Sequence, residues 1–142
     1  MKTIDVTKPQ LSAVSISANA PVVGFAGVGK IITLTFTSNE ILSSTAVVLA
    51  THGVAATNTN GNSYSTQITV ASNEKEGIAA FSIDFVDRAG NPGVTVTSTL
   101  DGTSVVIGLQ HIFFLFFLHI VSRLFICNLF TLSFCDCAII NK

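Results

Sequence analysis

Four side chains in the second half of the chain carry hard oxygen donors close together: Asp84, Asp87, Asn91 and Asp101. With loop carbonyls added, such a set could supply the roughly six to eight oxygens that calcium takes. The spacing matches no EF-hand loop, and the carboxylates are not densely packed in sequence. The stretch "FVDRAGNPG" (85–93) therefore has a second reading as a tight corner. Asp87 at the first turn position can accept backbone N–H groups a few residues on, and Gly90 tolerates a left-handed backbone. Asn91 tolerates similar angles, and Pro92 delays pairing of whatever follows. The turn reading gives every residue a structural task, so Asp87, Gly90 and Asn91 are assigned to it, with calcium as the alternative.

Other chemical candidates are weaker. Cys127, Cys135 and Cys137 form a Cys-x-Cys with one extra thiol, and His111 and His119 sit in an apolar run. Zinc sites need a second pair of ligands at suitable spacing, which is missing. "GFAGVGK" (24–30) places glycines before a lysine, but Ile31 follows Lys30 where a phosphate loop needs Ser or Thr. It reads as a loose loop before a strand. There is no G-x-S-x-G and no pair of carboxylates on one loop. No catalytic residue is assigned, no cofactor other than calcium is suggested, and the expectation is a protein that is not an enzyme.

Charge excludes one class of partner. The 142 residues carry seven Lys or Arg and eight Asp or Glu, a net charge of −1, with the basic residues scattered. That is no nucleic-acid footprint. Charged residues make up only 11% of the chain, and Thr, Ser, Ala, Val and Gly fill the space. β-branched residues suit strands, while Gly, Asn and Ser suit turns.

Composition breaks near residue 107. Residues 1–107 hold no cysteine and four of the eleven phenylalanines; residues 108–142 hold all three cysteines and the other seven. In the first part, period-two alternation recurs between turn signals. Strands are expected at 11–17, 30–37, 44–50, 64–70, 80–86 and 93–100. Polar breaks fall at 57–63, where Asn60-Gly61 suits a turn, and at 72–77. The expected inward set is Ile16, Ile32, Leu34, Phe36, Val48, Ile68, Phe81, Ile83, Phe85, Val94 and Val96. The fold class that follows is all-β, a two-sheet sandwich of about seven strands over residues 11–107, after a linker-like segment at 1–10.

"ITLTFTSNEIL" followed by "FSIDFVDRAGNPG" resembles the bacterial immunoglobulin-like repeats of large surface and adhesion proteins. The opening "IDVTKPQLSAVSI" is similar to the linker and first strand with which such modules begin. The resemblance covers about residues 4–107. It implies an immunoglobulin-like sandwich used in tandem as a stalk or adhesive rod, cell-surface or extracellular, whose partners are neighbouring modules or surface ligands. It also implies that Glu40 and Asp87 serve the fold. Related modules that hold calcium at junctions would place Asp5 and Asp101 nearest such an ion. "SVVI" (104–107) runs into "GLQHIFF" where a next module would begin, and "MKTIDVTKP" lacks the apolar core of a signal peptide, so a fragment of a longer protein is expected.

Besides a packed soluble element, the tail has two readings. Residues 112–135 carry one charge, Arg123, over 24 residues. A helix of that length reaches about 36 Å, enough for a hydrocarbon layer of about 30 Å. One reading is a transmembrane anchor. The other is a translation artefact, a shifted-frame or read-through tail that begins at a module boundary.

Overall fold

The computed structural model describes residues 4–108. The expected membrane segment, all three cysteines, His111 and His119 lie outside the described residues. Among the described residues every regular element is a strand, and no helix is long and apolar enough to cross a membrane.

In chain order the strands are β1 (Leu11–Ala18), β2 (Phe25–Ala26), β3 (Ile31–Ser38), β4 (Leu42–Leu49) and β5 (His52–Val54). They continue as β6 (Thr57–Asn60), β7 (Ser63–Thr69), β8 (Gly77–Ile78), β9 (Phe81–Asp87) and β10 (Val106–Ile107). One sheet has the order β1-β3-β7-β6 and the other β5-β4-β9; a small third sheet, β2-β10-β8, closes one end. Pairing is antiparallel throughout except between β10 and β2.

Alternation decides the inward faces. Ile32, Leu34 and Phe36 of β3 meet Ile83 and Phe85 of β9, with Val14 and Ile16 from β1 and Tyr64 and Ile68 from β7. Phe36 stacks on Tyr64 with ring centroids 5.4 Å apart. These assignments follow the sequence pattern. The long strands hold their register because a one-residue slip would turn each apolar set to solvent.

Three expected elements differ. Thr57–Asn60, expected within a polar break, forms β6 by pairing with β7. Val48 is exposed, and Val47 and Leu49 are buried instead. Apolar residues occupy both parities of "AVVLA", so alternation alone leaves the face undecided; a bulge between Leu42 and Ser44 and pairing with β9 select the odd set. The stretch 93–100 is not a strand. Its ladder pairing with β9 is limited to isolated bridges at Val86↔Pro92 and Ile83↔Val96, and Val94 is exposed with Val96 half-buried. Pro92 offers no N–H, and the chain then leaves β9 to run beside β1, where Leu100 N–H donates to the Val14 carbonyl at 3.0 Å. Val105 and Ile107 take the core places expected of Val94 and Val96.

The expected turns form. Gly61 adopts φ 56° and Gly90 φ 94°. "GFAGVGK" is a loop that contains only the two-residue β2 before β3. The β4–β5 hairpin turns on Ala50 and Thr51, both with positive φ, although neither is glycine.

The module has two poles. At one, the linker meets the corners 38–41 and 87–91: Gln10 N–H donates to Asn39 Oδ1, and Asn39 N–H donates to the Gln10 carbonyl, each at 2.9 Å. At the other, Gly29 N–H donates to the Val70 carbonyl, and Gly108 N–H donates to the Ala26 carbonyl. Strand β1 spans the distance between them, about 26 Å at some 3.3 Å per residue. The chain enters at the first pole and departs from the described part at the second.

Gly93 sits against the buried Phe85 ring, and its N–H donates to the Phe85 carbonyl at 2.9 Å. A β-carbon there would overlap the ring atoms. Gly93→Ala is expected to lower unfolding free energy by about 1–3 kcal/mol through overpacking, read as a lower urea midpoint with an unchanged slope.

Candidate functional site

The corner after β9 is held by one side chain. Asp87 is the last inward residue of β9 and is 1% exposed. Its Oδ1 accepts the Asn91 N–H at 2.8 Å, and its Oδ2 accepts Asn91 Nδ2 at 2.8 Å. Asp87 N–H donates in turn to the Asn91 carbonyl at 3.1 Å, and the loop closes through Gly90. A buried carboxylate is costly unless donors surround it, and here the corner supplies them. The expected Asp87–Gly90–Asn91 turn is what these bonds build. Burial acts to raise the Asp87 carboxyl, but the Asn91 side chain and the amides of Asn91, Ala89 and Gly90 hold it below the ordinary range.

Asn91 also reaches outward. Its Nδ2 donates to the Asp5 carbonyl at 3.2 Å, which pins the linker across the corner. The linker is therefore fixed twice, at Asp5 by Asn91 and at Gln10 by Asn39. Pro9 between them is buried.

That pinning gathers three carboxylates. Oxygens of Asp5, Glu40 and Asp87 all lie within 4.8 Å of one another, with Asp5 exposed, Glu40 half-buried and Asp87 buried. No ion pair joins any of them to a Lys or Arg among the described residues. Burial, then the charges of Asp87 and Asp5, push the Glu40 carboxyl above its ordinary range. Three carboxylate oxygens gathered this closely are the kind of hard donor set that calcium takes.

The sequence-selected donors separate into three places. Asp5 and Asp87 come together, with Glu40 as their third member. Asp101 does not join them: its Oδ1 accepts the Thr103 N–H at 3.0 Å and the Thr103 hydroxyl at 2.7 Å. Hydrogen bonds from the Thr103 hydroxyl, the Thr103 amide and Ser15 lower its carboxyl. The same Thr103 Oγ1 accepts Ile16 N–H at 3.0 Å, so Asp101 fastens the 99–103 segment along the edge of β1. Asp84 is exposed and accepts the Thr95 hydroxyl.

Glu40 is the member that spacing in sequence could not supply. It lies 35 positions from Asp5 and 47 from Asp87, and only the meeting of the linker with two corners brings it near. Elsewhere, a hydrogen bond between His52 Nε2 and Glu74 Oε2 at 2.8 Å joins the β5 hairpin to the 72–77 turn. Neither a protein-family model nor a curated protein matches the sequence.

A carboxyl lowered in the folded state adds stability above its unfolded value, and that stability is lost as pH falls through the folded value. Asp87→Asn is therefore expected to melt several degrees below the parent at neutral pH. The gap should begin to narrow as pH falls past about 4, where the unfolded chain's carboxyl starts to protonate, and close as pH falls through the lower folded value. Melting curves followed by circular dichroism across that range check it.

Proposed function

We propose that this chain is a structural and adhesive immunoglobulin-like module of a cell-surface or extracellular repeat protein, acting without catalysis. One observation carries the reading. The linker is pinned at one pole by Asn39 and Asn91, while the chain leaves Ile107 at the opposite pole. A domain entered and left at opposite ends can be strung into a rod whose axis follows its strands. Fixing the linker at two points limits bending at the junction. The likeness of "ITLTFTSNEIL" and "FSIDFVDRAGNPG" to adhesin repeats supports the same reading, and the apolar run 112–135 would tether the rod to a membrane. Partners are neighbouring modules and surface ligands, met through loops and strand edges.

A second reading is favoured by the carboxylates at the entry pole. In it, calcium held by Asp5, Glu40 and Asp87 stiffens the junction. Asp5 belongs to the linker and the other two to the module body, so an ion shared by the three would lock one to the other. The chemistry of the donor set fits a hard cation: all three donors are carboxylates, and a cation would relieve the repulsion felt at Glu40.

Two measurements test these readings. In a chain bearing two direct copies of residues 1–108, small-angle scattering should give a maximum dimension roughly twice that of one copy. A value close to that of a single copy would refute the rod. For calcium, millimolar ion is expected to raise the melting temperature several degrees over chelator, because a ligand that binds only the folded state stabilises it. Glu40→Gln should abolish that rise. Without calcium it should melt above the parent at neutral pH. The raised folded carboxyl of Glu40 costs stability as pH climbs past its unfolded value, and glutamine removes that charge.

A further inference from the structure

The side of the sandwich carries a groove that the corner chemistry does not use. It has a volume of about 680 Å³ and lies between β4 and β6, lined by Ile41, Ser43, Thr45, Asn58, Tyr64 and Arg88 among others. Its origin is a missing half-strand. β5 pairs only with Val47–Leu49, because the chain at 55–56 crosses to the other sheet, where β6 starts. Leu42–Leu49 pairs with β9 along its whole length, so below Val47 the strand β4 has a neighbour on one flank and none on the other.

Backbone direction follows from the alternation of an antiparallel ladder. Ala50 N–H donates to the Ala80 carbonyl on the β9 side, so even positions of β4 face β9. Odd positions face the other flank: Val47 meets Val54 there, and Thr45 points its peptide groups into the groove. The opposite wall is β6, itself an edge strand with all four residues exposed. Unpaired strand edges of this kind are templates for another strand.

We infer that the groove takes an extended peptide from a partner protein, added as a short strand beside Ser43–Ala46 and bearing a carboxylate that meets Arg88. This names a partner class for the adhesive reading above and rests on it. The vacant edge runs about 13 Å, room for some four extended residues. Arg88 is exposed, is the one charged residue on the lining, and pairs with no carboxylate among the described residues. Its planar guanidinium suits a carboxylate held by two parallel bonds. A sugar is disfavoured by the aromatic inventory. Tyr64, the one aromatic residue on the lining, is buried, with its ring stacked on Phe36 and its hydroxyl accepting Leu42 N–H at 2.9 Å. It offers no open ring face.

The test selects displayed random linear peptides against the full 142-residue chain and measures synthetic versions of the winners by fluorescence anisotropy. The winners should alternate β-branched residues and carry Asp or Glu at one end. Arg88→Ala should weaken them about tenfold, with partial recovery in Arg88→Lys. Thr45→Pro should abolish binding, since it removes the groove-facing N–H yet leaves the β9-facing bonds of Ser44 and Ala46 in place. Unchanged melting of Arg88→Ala keeps the result readable if the proline variant fails to fold. Peptides that bind the Arg88 variants as tightly as the parent would overturn the assignment. So would selection of no peptide by a folded chain, binding of a glycan in the groove, or self-association of the chain through it. The scattering measurement on tandem copies is independent, so an elongated tandem with an inert groove refutes this inference alone.

Discussion

Two sheets can stay together in this chain only because each turns a largely apolar face to the other. Burying a side chain such as Leu34, Phe36, Leu49 or Ile83 contributes about 1.5–3 kcal/mol, and these four are nearly or wholly removed from water. No disulfide is available between residues 1 and 107 to do that work. Register therefore carries the stability: shifting β3 by one position would expose Ile32, Leu34 and Phe36 together and bring threonines inside. Everything at the poles and edges is built on that fixed frame.

The entry pole shows what the frame imposes on polar residues. Strand β9 alternates Phe81, Ile83, Phe85, and its next inward position is Asp87. An ionised carboxylate cannot be left bare there, so the corner folds back to present Asn91 and the following amides to it. Asn91, held in that position, extends its remaining amide hydrogen to the linker carbonyl of Asp5. One buried charge thus leads to an ordered linker, and the ordered linker leads to three carboxylates at close range. Repulsion among them is a consequence of the architecture that a cation would relieve.

Edges are treated unequally. The outer edge of β1 is covered by the 99–103 segment, through Leu100 to Val14 and through Thr103 to Ile16. The small sheet β2-β10-β8 covers the exit pole. The lower flank of β4 has no such cover, and β6 opposite it is exposed throughout. Natural sheets tend to blunt or cover their edges, and this one is left bare beside Arg88, which is the basis of the peptide-binding inference.

Alternation by itself determined the class of this protein and the inward sets of β3, β7 and β9, and the turn preferences of Asp, Gly and Asn determined the Asp87–Gly90–Asn91 corner. Each is a local matter, in which neighbours two to four residues apart decide the outcome. Tertiary structure decided what depends on distant chain. It chose Val47 and Leu49 over Val48, because both parities of that strand are apolar and only pairing with β9 separates them. It withdrew 93–100 from the sheet and put Val105 and Ile107 in the core. It also set Glu40 beside Asp5 and Asp87 while sending Asp101 to the edge of β1. A carboxylate's neighbours are a property of the folded surface, and separations of 35 and 47 residues leave no trace in spacing.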